Sequence, residues 1–248
     1  MDDIGPQFME RTKYRHLPPS DQTQGLPQPP LFKEWPDDRP LIDLPAPGGI
    51  SVRPVDLTAA INSRRSVRSY TDQPLTMEEL SYLLWCTQGV KEVTPRPATS
   101  RTVPSAGARH PLETYILVNR VEGVEPGVYA FVADQHKLRP HLTGSDLGGK
   151  FAAVALRQNM VARSAVTFIW SAVAYRSIWR YNQRAYRYMH LDAGHACAHL
   201  YLAVAAVDAG CCAIAAFDDD ACSTLLELDG EDEFVIYMAA VGKLPRPA

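Results

Sequence analysis

Arg64, Arg65 and Arg68 stand within five residues of one another, with Ser66 among them and Ser69 directly after. Such a cluster suits an anion, because each guanidinium presents a planar fork of donors matched to phosphate oxygens, and a neighbouring hydroxyl adds another charge-assisted hydrogen bond. About forty residues later the chain reads Pro104-Ser105-Ala106-Gly107-Ala108-Arg109-His110-Pro111. Small residues between prolines let backbone N–H groups approach a flat ligand that larger side chains would keep away. A phosphate clamp combined with a small-residue platform points to a phosphorylated planar cofactor. An arginine patch alone fits a solvated surface or a nucleic-acid footprint equally well. The rest of the chain argues against nucleic acid: 25 Lys and Arg face 28 Asp and Glu, the net charge is −3, and no second basic run follows.

Other constellations carry less. Gly144 to Lys150 has the spacing of a phosphate loop, but Phe151 occupies the position that needs a magnesium-binding hydroxyl, so the segment reads as a helix start. His195 and His199 share a helix face at metal-ligand spacing, yet no third ligand is suggested, and they read as a packed or hydrogen-bonded pair with no metal. There is no G-x-G-x-x-G for a dinucleotide. Without a G-x-S-x-G elbow, Ser105 reads as a ligand contact and not a nucleophile. In Trp179 to Tyr188, Arg180, Arg184 and Arg187 recur with Tyr181 and Tyr188 at helical spacings. That set is either a surface charge face or a pocket wall presenting cations and proton donors.

These residues need a scaffold, and 248 residues with 46% hydrophobic content can bury one substantial core. Residues 1–55, rich in proline, read as an extended arm that wraps the body or a partner, with Leu41 to Leu44 as a short strand; residues 56–248 read as one globular domain. A helix from Asp56 runs into the arginine cluster. Thr76 and Glu79 form a capping box for a second helix closed by Gly89. Strands are expected at 113–118, 127–132, 165–170, 212–217 and 234–241. Helices are expected over 145–158, over 178–208 and after Asp218. Strands alternating with helices around a central hairpin predict an α+β protein with a mixed central sheet and helices on both faces. The five cysteines have no C-x-x-C pair and read as buried free thiols. No apolar run is long enough to span a membrane and the first residues lack a secretory pattern, so a cytoplasmic protein is expected.

The chain resembles the nitroreductase superfamily, and within it the SagB-type dehydrogenases related to thiazoline/oxazoline oxidases. The resemblance rests on Arg64-Arg65-Ser66-x-Arg68-x-Tyr70, Pro104 to Ala108 with His110 to Tyr115, Pro126 to Tyr129, Arg184 to Tyr188 with Asp192 to His195, and Ala213 to Asp219. It implies an FMN-dependent oxidoreductase built as an intertwined homodimer with two flavins at the subunit interface, acting on a small-molecule or modified-peptide substrate. By that resemblance Arg64, Ser66 and Arg68 would hold the phosphate and the pyrimidine side of the flavin, and Arg65 would assist or face solvent. Pro104, Ser105, Ala106, Gly107 and Ala108 would line the ring from the partner subunit. Ala215 and Ala216 would pass near the ring, and Gly242 and Lys243 would close the phosphate site. Arg68, Arg180 and Tyr181 are the candidate catalytic residues, with Arg68 stabilising the reduced, anionic flavin. The azoline oxidases carry a Lys-Tyr pair where this chain has Arg180-Tyr181, and a guanidinium is no useful base near neutrality, which argues against azoline oxidation by that route. Arg109, in place of an apolar residue, is expected to favour an anionic or electron-poor substrate. NAD(P)H stands as a candidate electron donor. The competing readings are an NAD(P)H-dependent nitro or quinone reductase and a non-catalytic flavin-binding scaffold subunit.

Overall fold

In a computed structural model, which describes residues 3–144 and 146–245, the helices are α1 (Ile4–Arg11), α2 (Leu57–Ser63), α3 (Met77–Gln88), α4 (Leu147–Val154), α5 (Met160–Arg163), α6 (Ala174–Tyr181), α7 (Ala185–Ala203) and α8 (Asp219–Leu225). The strands are β1 (Ile42–Asp43), β2 (Val90–Thr94), β3 (Ala98–Arg101), β4 (Leu112–Val118), β5 (Gly127–Val132), β6 (Lys137–Leu142), β7 (Val166–Val173), β8 (Ala209–Ile214) and β9 (Glu233–Lys243). Seven strands form one sheet in the order β1-β6-β5-β4-β7-β9-β8, and β2 and β3 make a separate hairpin.

β4, β5 and β7 are buried along almost their whole length, as expected of strands covered on both faces. The period-two alternation of side chains sorts each strand between two cores. On β4, Leu112, Ile116 and Val118 face a core shared with Leu80, Leu83 and Leu84 of α3 and with Met189, Ala193, Ala196 and Leu200 of α7. Tyr115 and Leu117 join the opposite core, with Phe151 of α4, Val161 of α5 and Cys222 of α8. The α+β class and the helices on both faces are therefore present. The expected mixing of strand directions is reduced to two isolated parallel bridges, Ser66 with Cys211 at the β8 edge and Leu75 with Val121. The helical crossover does return β8 parallel to β7, but β9 inserts between them antiparallel to both, so every pairing between named strands is antiparallel.

Local signals place the other elements. Thr76 and Glu79 complete the capping box of α3, and Asp56 and Asp218 accept from Ala59 N and Ala221 N to cap α2 and α8. The single helix expected over 178–208 is broken at Asn182, whose φ of 51° is left-handed and whose side-chain amide donates to Pro18 O at 2.8 Å. It ends on a left-handed Asp208, so β8 starts before Gly210, earlier than the expected residue 212. The helix expected over 145–158 begins at Leu147, capped by Asp146, and gives way to α5; its expected first residue, Ser145, lies outside the described residues, as do residues 246–248.

The N-terminal segment is less extended than its prolines imply, since α1 forms within it. It follows the body: Gln22 N donates to Trp179 O at 2.9 Å and Trp179 Nε1 to Leu26 O at 3.0 Å. It then crosses to the second core, where Trp35 packs and Lys33 Nζ lies 2.5 Å from Glu233 and 2.8 Å from Tyr115 Oη. Arg139, almost fully buried, pairs with Asp37. Lys33→Met would leave the largely buried Glu233 without its cation, at a cost of roughly 2–3 kcal/mol. The expected outcome is a lower Tm with new proteolytic cleavage before residue 42; an unchanged melting curve and cleavage pattern would contradict this anchoring.

Candidate functional site

The arginine cluster begins where α2 ends. From there residues 66–67 lie along the edge of β8, with Val67 N donating to Cys211 O at 2.9 Å. This close approach needs glycine opposite, since a Cβ on Gly210 would fall 2.8 Å from that of Val67, and one on Gly242 would fall 2.6 Å from the Tyr70 ring. Tyr70 Oη donates to Val67 O at 2.6 Å and fixes the turn. Behind the cluster stands Tyr201 of α7. Its hydroxyl is 3.0 Å from Ser66 Oγ and accepts from Ala213 N at 2.9 Å, and the Arg64 guanidinium sits 5.3 Å over its ring. Arg64, Arg65, Ser66 and Arg68 are exposed, and Arg64 and Arg65 line a groove of about 220 Å³ together with Tyr201. None of the three arginines takes part in an ion pair among the described residues. Donors with no internal acid to satisfy them fit an oxyanion such as a cofactor phosphate.

Lys243 does not join them. Its ammonium is buried, paired with Glu79 and hydrogen-bonded to Val207 O at 2.7 Å. The capping box fixes the Glu79 carboxylate beside the end of β9, so the lysine is neutralised inside the fold, and the expectation that it closes the phosphate site is corrected. Gly242 serves the packing of Tyr70. Ala215 and Ala216 emerge exposed just beyond β8, with Ala216 O accepting from Gln158 Nε2 at 2.8 Å.

The platform loop is pinned by a residue of α7. Asp192 is 4% exposed; its carboxylate accepts from Ser105 Oγ at 2.6 Å and Ala106 N at 3.2 Å, and Ser105 Oγ in turn accepts from His110 N at 2.9 Å. Burial pushes the Asp192 carboxyl above its ordinary range, against the opposing pull of these donors. Gly107 is left-handed at φ 59°, and a Cβ there would lie 2.3 Å from Tyr181 Oη and 3.0 Å from Arg180 Nε. Glycine thus lets the loop seat in a cradle formed by Tyr181 and Arg180, which take the space a side chain would need. Arg109 is buried, donates through Nε to Gly107 O at 3.0 Å and lies 5.4 Å over the Trp179 ring. Burial, and then the charge of Arg101, push the His110 imidazole down to about 3, keeping it neutral beside the Thr99 carbonyl.

The structure therefore joins Pro104 to Ala108 with Arg180 and Tyr181 in one place. Arg64, Ser66 and Arg68 stand elsewhere, at the Tyr201 end of α7. Nine residues of helix separate Asp192 from Tyr201, about 13 Å of rise. Arg184 and Arg187 grip the N-terminal segment: Arg184 donates to Thr12 O and Tyr188 Oη, and Arg187 to Thr12 Oγ1 and Met9 O. Of the expected helical pair, His199 bonds to Cys86 O at 3.2 Å while His195 is exposed.

Sequence reasoning passed over the roles of Asp192 and Tyr201. A lone acid and a lone phenol within an apolar helix carry no local signal, although Asp192 falls in a segment that carries the family resemblance. Asp192→Ala would strip the acceptor from Ser105 and Ala106 together, costing roughly 2–3 kcal/mol. Amide exchange at Ala106 and His110 should accelerate selectively. Protection unchanged at both amides would show that the loop is held by other means.

The nitroreductase family model matches residues 61–243, a span that contains clamp, platform and Tyr181. A candidate nitroreductase from Methanocaldococcus jannaschii is 32% identical over 192 residues, 77% of this chain and 93% of that protein. The trifolitoxin-processing protein TfxB of Rhizobium leguminosarum bv. trifolii is 29% identical over 187 residues, which cover 71% of this chain but only 49% of TfxB. The crystal structure of a candidate nitroreductase from Ralstonia eutropha JMP134 superposes with a TM-score of 0.69 at 22% identity, over 90% of this chain and 96% of that one, and shares the fold. With the family model spanning most of its length and the archaeal relative matched almost end to end, the chain belongs to the nitroreductase family.

Proposed function

We propose that this protein is an FMN-dependent oxidoreductase of the SagB type that works as a homodimer and moves hydride between flavin and a small organic or peptide-derived substrate. The observation that carries the proposal is the split site: a phosphate clamp whose arginines make no ion pair among the described residues at one end of α7, and a glycine loop seated against a tyrosine hydroxyl at the other. Within one copy, clamp and platform stand at opposite ends of this stretch of α7. Between the two, α7 exposes Leu191, Gly194, His195 and Ala198, with open space above Gly194, and α2 exposes Leu57 and Ile61. A small-residue helix face flanked by exposed leucine and isoleucine suits close packing against a second copy, which would bring its platform to the first copy's clamp.

Bound there, FMN would supply reversible two-electron acceptance and donation. Arg64 and Ser66 would hold its phosphate, with Tyr201 orienting the serine hydroxyl, and Arg68 would place positive charge near the pyrimidine edge. Pro104 to Ala108 would lie along the ring and keep water from it. Tyr181, beside Gly107, would hold a proton at Oη for transfer to or from the substrate, while Arg180 stays a fixed cation and leaves the site without the lysine base of azoline oxidases. The similarity to a toxin-processing protein supports a peptide-derived substrate. The archaeal relative favours a second reading, an NAD(P)H-dependent nitro or quinone reductase with the same flavin site.

Purified protein should show oxidised-flavin absorption and release FMN. Arg64→Ala with Arg68→Ala should weaken FMN binding on the order of 100-fold, the effect of removing two charge-assisted contacts. Tyr181→Phe should retain FMN and lose most turnover. Protein that stays colourless after reconstitution would return the clamp to an arginine patch. NAD(P)H consumption with a nitroaromatic, and none with oxygen and a peptide substrate, would select the second reading.

A further inference from the structure

Arg109 and Arg180 both lie against the Gly107 loop, and Arg184 and Arg187 follow Arg180 in the chain. None takes part in an ion pair among the described residues. Arg184 and Arg187 do find acceptors, but these are carbonyls and hydroxyls of the N-terminal segment and of Tyr188, with Arg184 also 4.5 Å over the Tyr14 ring. Neutral acceptors satisfy N–H groups and leave the charge in place. The one buried carboxylate nearby, Asp192, is committed to Ser105 and Ala106.

Arg109 sharpens the imbalance. It is 6% exposed, spends its Nε on Gly107 O, and packs its guanidinium on Trp179. Burial, with the neighbouring charge of Arg180, lowers its proton affinity. Keeping a buried cation beside a second cation is unfavourable unless an anion completes the set. Three other buried cations have carboxylate partners, Arg176 with Glu113, Arg139 with Asp37 and Lys243 with Glu79, while buried Arg101 has neutral acceptors on two of its nitrogens, Gln88 Oε1 and Thr99 Oγ1; Arg109 has only its Nε bonded, to Gly107 O. The cofactor phosphate has its own arginines at the other end of α7, so this charge serves a different ligand. Arg180 is exposed, with its Nε and the Tyr181 hydroxyl both packed against Gly107.

We propose that Arg109 and Arg180, together with the Tyr181 hydroxyl, form an anion subsite at the edge of the cradle that selects substrates bearing a carboxylate next to their redox-active group. The assignment rests on the flavin reading for the identity of the neighbouring ring. The planar guanidinium fork of Arg180 matches a carboxylate in two-point contact, and Arg184 and Arg187 add long-range attraction that steers an anion toward the cradle.

The test separates the two claims. FMN content is established first, from the visible spectrum and the released cofactor. Binding of 4-nitrobenzoate, the uncharged 4-nitrobenzyl alcohol and phenyl phosphate is then measured by flavin difference spectra, and in parallel on flavin-free protein by tryptophan fluorescence, since Arg109 lies on Trp179. The expected result is a carboxylate preference over the alcohol of roughly tenfold or more at low salt, falling as salt is added. Arg180→Gln should abolish most of it, and Arg180→Lys should restore part. Equal affinity for acid and alcohol, or a preference untouched in Arg180→Gln, would overturn the subsite. Tight phenyl phosphate binding without carboxylate binding would overturn the carboxylate assignment in favour of the phosphate of a nucleotide donor. Protein that takes up no FMN yet still prefers the acid would retain the subsite and refute the flavin reading.

Discussion

The packing of α7 on the antiparallel sheet sets the distances in this molecule, because a single helix carries the residue that pins the platform and the residue that backs the clamp. Met189, Ala193, Ala196 and Leu200 lock one face of the helix into the core between α3 and the sheet. With that face fixed, Asp192 meets Ser105 and Ala106, and the Tyr201 hydroxyl meets Ser66 and Ala213. A loop and a surface arginine cluster, each poorly ordered by its own sequence, take their geometry from polar groups held by apolar packing.

Charge is distributed on the same plan. Acids that enter the structure are spent where the scaffold needs them, on Lys33, Arg139, Arg176 and Lys243. Among the described residues, Arg64, Arg65, Arg68, Arg109 and Arg180 make no ion pair. The N-terminal segment belongs to this arrangement, since it supplies neutral acceptors to Arg184 and Arg187 on one side of the body and a cation to Glu233 on the other. Cations left without internal partners are poised for ligands.

Much of this was legible in the sequence where the signal is local. The capping box of Thr76 and Glu79, the caps at Asp56 and Asp218 and the apolar run of β7 depend on neighbours a few residues away, and each formed as the pattern implies. The arginine cluster and the Pro104 to Ala108 segment stood out as compositions that only close ligand approach explains. What stayed hidden depends on distant partners. β6 and the β2–β3 hairpin lack a strong pattern of their own and are made by pairing. The break at Asn182 answers a carbonyl from Pro18. Lys243 reads as a phosphate ligand until Glu79, 164 residues earlier, is seen to occupy it. Likewise the three arginines of 180–187 look equivalent along the helix, and only the N-terminal segment separates the gripping pair from the free one.

The central claim is that clamp and platform complete one cofactor site only across two copies of the chain. Mixing two defective forms tests this directly: one lacking the clamp, Arg64→Ala with Arg68→Ala, and one with a filled cradle, Gly107→Val, each unable to retain FMN alone. Co-refolded, the two should recover FMN at about one site per hybrid dimer, because each hybrid pairs one intact clamp with one intact platform. Failure of the mixture to recover any FMN, or full FMN occupancy in a wild-type chain that light scattering shows to be monomeric, would contradict it.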